Sequence, residues 1–221
     1  MLGEKYVVKH FKATTNLSDI QELYRKIKEL KTTKDTQNNN QKITSIYTKL
    51  ALEFLLLTAL RQGTLRKLSW DMINWEKSII EIPAEITKTK RDFRLPLTKR
   101  MIEILEELKN LENNKPKGLL FKGRDGNLMS ENTLNVKIKK LTNGASTAHG
   151  IRSSFATILK EQGENPLYIE EQLMHIVENK VGQAYTRTDY LEQRRELLER
   201  WSNLISAKTK SDDKNIVSFD Y

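Results

Sequence analysis

The stretch SIYTKLALEFLLLTALRQG, from Ser45 to Gly63, constrains this chain more than any other. Apolar residues at 46, 47, 50, 54 and 57 fall at helical spacing, and between Leu50 and Leu60 only Glu53 and Thr58 interrupt the apolar run. That run is about half of the ~20 residues that cross a bilayer. It therefore predicts a helix starting near Ile43, ending near Arg61–Gly63, and buried on nearly every side. The rest of the fold must wrap around it.

The chain has 221 residues, which implies one domain or two small ones. A chain of this length buries roughly 70% of its unfolded surface, enough for one proper core. Lys and Arg number 38 against 29 Asp and Glu, a formal charge of +9. That surplus favours a polyanionic partner, nucleic acid above all, although histone-like, ribosomal and membrane-surface proteins fit it equally. Cysteine is absent from the sequence, which excludes a disulfide scaffold, thiolate-bound zinc, iron–sulfur clusters and a cysteine nucleophile. The start, MLGEKYVVKH, lacks the apolar core of a signal peptide. A reduced, cytoplasmic protein without a membrane span is expected.

Ser18-x-x-Gln21 has the form of a capping box, followed at helical spacing by Ile20, Leu23, Tyr24, Ile27 and Leu30. The polar tract Lys31–Lys42 reads as a loop or a solvated helix end. The period then changes. Ser78–Ile82 and Phe93–Leu97 are short strand-like runs around the cationic stretch Thr87–Asp92, which predicts a hairpin with a basic tip. Met101, Ile104, Leu105 and Leu108 return to helical spacing. Leu119–Phe121 reads as a short strand and Arg124–Asn127 as a turn. Ser130 is the expected N-cap of a helix holding Leu134, Ile138 and Leu141, with Lys137, Lys139 and Lys140 on its outer side. Further helices are expected near 150–162, 166–174 and 190–206, the last capped by Asp189-x-x-Glu192. The expected class is mainly α with a small antiparallel sheet, without internal repeats.

Candidate chemistry is spread along the chain. Arg61 closes the most apolar helix, where a long cation is uncommon without a partner. Taken alone, it reads first as a surface arginine complementing a helix C-terminus. His149 and Arg152 share one face at the start of a helix, where both could address one anion. Lys88 sits at the hairpin tip. His175 precedes Tyr185 in the run Gly182–Arg187. His10 lies in a polar N-terminal stretch and reads as incidental.

Taken in order, these residues resemble the catalytic domain of the tyrosine recombinases, and more closely that of prophage or genomic-island integrases. The resemblance rests on LTALRQGTLRKLSWDMINW with Arg61, KTKRDFRLPL with Lys88, HGIRSSFAT with His149 and Arg152, and LMHIVENKVGQAYTRTDYLEQRRELLERWSNLI with His175 and Tyr185. It covers about Val7 to Ile205. One position departs from it: the family carries an acid three residues after the first arginine, and here Thr64 stands there, readable as an N-cap for 65–70. The resemblance implies that residues 1–221 are one catalytic domain with a tail at 207–221. Arm-binding and core-binding domains, which precede this one in such proteins, are expected outside it.

The resemblance also implies metal-independent, cofactor-free cleavage and rejoining of DNA through a 3′-phosphotyrosine. Tyr185 is the implied nucleophile, Arg61 and Arg152 the phosphate clamps, and Lys88 the acid for the leaving 5′ oxygen. His149 is implied to take the tyrosine proton and His175 to bond a non-bridging oxygen. Among seven tyrosines, Tyr185 also stands out by placement: Tyr24, Tyr47 and Tyr190 fall on helix faces, while Tyr185 lies outside regular periodicity beside Arg187. Lys90, Arg91, Arg94, Lys137, Lys139 and Lys140 are candidates for DNA-backbone contact, or simply solvated charges. Implied partners are duplex DNA at attachment sites, further copies of the chain in a homotetramer, an excisionase and a DNA-bending host factor. Two rival readings remain, a type IB topoisomerase-like relaxing enzyme and a non-catalytic basic DNA-binding module.

Overall fold

In the computed structural model the apolar run forms helix α2 (Ile46–Thr58), on which every residue from Leu50 to Thr58 is buried. Residues 13–32, 45–123, 126–175 and 189–207 are described. Helices α1 (Leu17–Lys28), α4 (Lys99–Leu111), α5 (Thr133–Leu141) and α8 (Leu191–Ser206) all pack on α2. Aromatic side chains lock the layers together. Trp201 of α8 donates its indole N–H to Leu56 O at 2.8 Å and meets Phe155 edge-on at 5.1 Å. Phe54 tilts against Phe121 at 5.3 Å. Among the described residues no helix is long and apolar enough to cross a membrane.

The buried run of α2 includes one charged side chain. Glu53 is fully buried and draws partners from two neighbouring helices. Arg100 of α4 grips it with Nε at 2.7 Å and Nη2 at 3.0 Å, Lys28 of α1 reaches it at 3.2 Å, and Tyr24 Oη donates at 3.1 Å.

The expected hairpin forms from β2 (Ile79–Ile82) and β3 (Phe93–Pro96), with Ile80 opposite Leu95 and Glu81 opposite Arg94. A third, two-residue strand, β1 (Ile73–Asn74), pairs antiparallel with β2. It is too short for its alternation to register in sequence. The β2–β3 connection is pinned at its base. Asp92 Oδ1 accepts from Ala84 N at 2.8 Å, and the buried Thr87 hydroxyl donates to Arg91 O at 3.0 Å. Leu119–Phe121 is not a strand. It contributes one bridge, Leu119 to Ser69, because the chain turns at Trp70–Met72 before a second pair can form.

Three expected caps are displaced. Asn16, not Ser18, caps α1 with its side chain, and Gln21 donates to Leu204 O on α8 instead of closing a box. Asn132 occupies the cap position of α5, while Ser130 Oγ bonds Thr133 Oγ1 at 2.8 Å. Helix α8 starts behind Tyr190, which takes a left-handed conformation, because the Asp189 carboxylate is spent on Arg94 at 2.7 Å. Of the expected turn at Arg124–Asn127, Arg124 and Asp125 lie outside the described residues, as do His10 and residues 33–42 of the polar tract.

Candidate active site

Helix α2 stops at Thr58, short of the expected end, because Ala59 turns left-handed with φ 50°. Arg61 therefore does not lie at a helix C-terminus. It stands in extended conformation before the short helix α3 (Gln62–Leu65), and its carbonyl accepts from Thr64 N and Leu65 N, both at 2.9 Å. The dipole reading of Arg61 is thereby removed. Its Nη1 is buried without a hydrogen-bond partner among the described residues, and burial pulls its guanidinium below the ordinary arginine value. Thr64 is not an N-cap either. It lies inside α3, and its hydroxyl donates to Ile86 O at 3.3 Å, tying α3 to the base of the hairpin.

Thr147 caps helix α6 (Ala148–Glu161) by accepting from Gly150 N, which brings His149 and Arg152 into its first turns. Arg152 is only 3% exposed. Its Nη1 donates to Ala59 O and its Nη2 to Leu173 O, each at 2.5 Å. Ala59 is the C-cap of α2, and Leu173 is the C-cap of α7 (Pro166–Gln172). Carbonyls at helix C-termini lack partners within their own helix and carry partial negative charge. One guanidinium thus closes two helix ends. Burial first, and then Arg61 nearby, lower its affinity for its proton.

Arg61, Lys88, His149 and Arg152 line one cleft of about 550 Å³. Lys88 is exposed on the hairpin connection. His175 joins through Arg152, whose Nη2 lies 3.4 Å from His175 Nε2. Tyr185, in the segment 176–188, lies outside the described residues. A further cleft residue not singled out by the sequence is Arg66. Its Nε and Nη1 are buried without partners among the described residues, and Nη2 lies 3.7 Å from Glu131. Glu170, also not singled out by the sequence, stands behind His175 and outside the cleft lining, 2.6 Å from His175 Nδ1. Position five residues beyond Arg61, or five before His175, was the available signal, and charge alone does not separate such residues from solvated ones.

The DNA-contact candidates divide by position. Lys90 lines the cleft and Arg91 is exposed beside it. Lys139 and Lys140 are exposed on α5, and Lys137 is half-buried there, its ammonium lowered first by burial and then by Lys140. Arg94 is held by Asp189, and its carbonyl accepts from the fully buried Arg194 at 2.7 Å.

The guanidinium forks of Arg61, Arg66 and Arg152 and the lysines Lys67, Lys88 and Lys90 around one opening suit a phosphate, since planar forks match phosphate oxygens and keep their charge. His149 carries the electrostatic signature of that crowding. Burial, followed by Arg152, Arg61, Lys88 and His175, holds its ring below the ordinary imidazole range, so it is neutral and able to accept a proton at pH 7. An NMR pH titration of His149 in the free protein is expected to show a midpoint below that of an unperturbed imidazole. Arg61→Ala should move the midpoint upward, because one repelling cation is gone. A midpoint at or above the ordinary value would contradict this electrostatic picture.

Comparison with known proteins gives the cleft its context. The model of the phage integrase family matches residues 19–192. Prophage integrase IntA of Escherichia coli (strain K12) is 34% identical over 164 residues, covering 74% of this chain and 40% of that protein. The integrase of Shigella phage Sf6 is 31% identical over 170 residues, covering 75% of this chain and 44% of that protein. The chain therefore spans less than half the length of these relatives. Among solved structures, the integrase from mycobacterium phage Brujita superimposes with TM-score 0.59 at 19% identity, over 98% of this chain and 67% of that one. The lambda integrase catalytic core does so with TM-score 0.53 at 17% identity, over 77% of this chain and 95% of that one. A lambda integrase tetramer bound to a Holliday junction gives TM-score 0.57 at 16% identity, over 83% of this chain and 50% of that one. At these identities the structures establish the fold, that of a tyrosine recombinase catalytic domain. With the family match spanning most of the sequence and relatives above 30% identity beside it, the chain belongs to the phage integrase family of tyrosine recombinases.

Proposed function

We propose that this chain is the DNA strand-cleaving and rejoining domain of a site-specific integrase. The observation that carries the reading is the convergence of Arg61, Arg152, His149 and Lys88 on one cleft. The Tyr185 hydroxyl attacks the scissile phosphorus, forming a phosphotyrosine bond as the bond to the 5′ oxygen breaks. His149, neutral for the reasons given above, takes the tyrosine proton, and Lys88 gives a proton to the departing 5′ oxygen. Arg61 and Arg152 offset the charge that grows on the non-bridging oxygens, and His175 bonds one of them. The covalent ester keeps the bond energy for rejoining. Lys90, Arg91, Arg94, Lys137, Lys139 and Lys140 follow the flanking DNA backbone in this reading. The working assembly is a homotetramer on paired attachment sites, with an excisionase and a DNA-bending factor as accessory partners, in the bacterial cytoplasm.

The test is a duplex nicked close to the scissile phosphate, so that a cleaved strand cannot be rejoined. Wild-type protein is expected to become covalently attached to it. Tyr185→Phe should abolish the adduct, and Tyr190→Phe should retain it, since the Tyr190 ring packs on Tyr168 at 5.3 Å. Salt-sensitive DNA binding without any adduct would instead favour a non-catalytic binding module. Plasmid relaxation without recombinant products would favour a topoisomerase-like enzyme.

A further inference from the structure

We propose that Glu170 is a positioning residue that fixes the ring of His175 and the nitrogen it turns toward the cleft; the role at the cleft rests on the cleavage reading above. Glu170 holds His175 twice. Met174, left-handed at φ 51°, closes α7 so that His175 N donates to Glu170 O at 3.0 Å and Met174 N donates to Glu171 O at 2.9 Å. Such paired closing bonds end a helix in one defined geometry. The side chains then meet, with Glu170 Oε2 2.6 Å from His175 Nδ1.

The state of one imidazole nitrogen is set by the bond the other makes. An ionised carboxylate only accepts, so Nδ1 carries a proton and Nε2 is presented to the cleft, 3.4 Å from Arg152 Nη2. Burial raises the Glu170 carboxyl, but bonds from Lys160 and His175 outweigh it and hold the group below the usual carboxylate range, hence ionised. Toward Arg152, Nε2 faces a donor and accepts. A phosphate oxygen accepts only, so to bond it the ring must donate from both nitrogens, Nδ1 to Glu170 and Nε2 to the phosphate. Glu170 is the counter-charge that such a ring needs. The other charged groups around it are Arg152 and Lys160 on α6, the latter 2.7 Å from Glu170 Oε1, and Arg61 across the cleft, with the titratable but neutral His149 beside them.

Nitrogen-15 NMR of histidine-labelled protein and adduct formation on the nicked duplex test this together. His175 Nδ1 is expected to be protonated in the wild type, and the ring to lose that preference in Glu170→Ala. The same substitution should slow adduct formation about tenfold or more at saturating DNA, with DNA affinity unchanged, as orienting carboxylates behind histidines do. His175→Ala should slow it comparably, and the double variant should be no slower than His175→Ala, since both act through one ring. Lys160→Ala, which removes only the other partner of Glu170, should stay within about twofold of wild type. An unprotonated Nδ1 in the wild type overturns the proposal, as do losses that multiply in the double variant. A Glu170-dependent Nδ1 proton in a protein that forms no adduct supports the hold on the ring and overturns the cleavage reading.

Discussion

Arg152→Lys is expected to slow covalent adduct formation about 10³-fold, the scale at which single charge-stabilising donors act in acyl and phosphoryl transfer. The charge survives this substitution, so the loss measures geometry. The guanidinium spans two carbonyls that close α2 and α7, Ala59 O and Leu173 O, and reaches His175 from the same Nη2. An ammonium is a single point with rotating donors, and it cannot bridge both carbonyls while facing a phosphate. One buried carbonyl is then left unmet, costing about 1–3 kcal/mol. For a chain of this size that lowers the melting midpoint by a few degrees per kcal/mol, roughly 2–4 °C each. Single-turnover rates measured well below the midpoint separate the two effects. A rate within about tenfold of wild type at saturating DNA would remove Arg152 from the phosphate clamp.

Glu53→Ala is expected to destabilise the fold by about 1–3 kcal/mol, because it strands the half-buried Arg100 guanidinium rather than merely deleting a contact. Arg100 keeps only 23% of its side chain exposed, and Lys28 and Tyr24 lose the same acceptor. The effect has a pH signature. Burial alone would raise the Glu53 carboxyl, but the Arg100 fork and Lys28 more than reverse it, so its folded value lies below the usual carboxylate range. A group depressed on folding contributes stability that is present above the unfolded value of roughly 4.3 and fades as pH falls through the folded one. The melting difference between wild type and Glu53→Gln should therefore be full above about pH 5 and shrink steadily in acid. A difference that is constant down to strong acid would show that Glu53 is held by shape, not charge.

How far the site was legible depends on the kind of signal each part carried. The 3.6-residue periodicity located α1, α2, α4, α5 and α8, because burial of one face leaves its imprint in residue type. The period-2 runs located β2 and β3 in the same way. Cap positions were less legible: Ser18, Ser130 and Asp189 are sound capping residues, but each stands close to a competing partner. Asp189 is spent on Arg94, and Asn16 and Asn132 precede the other two helices. Short elements such as α3 and β1 have too few residues to show a period.

By itself the sequence determined a central buried helix, a basic hairpin, and the residue types from which a phosphate site can be assembled. Only the tertiary structure decided that Arg61 leaves α2 for the start of α3, that Arg152 closes two helix ends, and that Glu170 stands behind His175. The reason is physical. Side-chain burial is written into residue identity at fixed spacing, so it can be read along the chain. The groups that hold Arg152 are backbone carbonyls, one of them 93 residues away in sequence. Every residue carries such a carbonyl, so no residue type marks those two, and only the folded path of the chain brings them together.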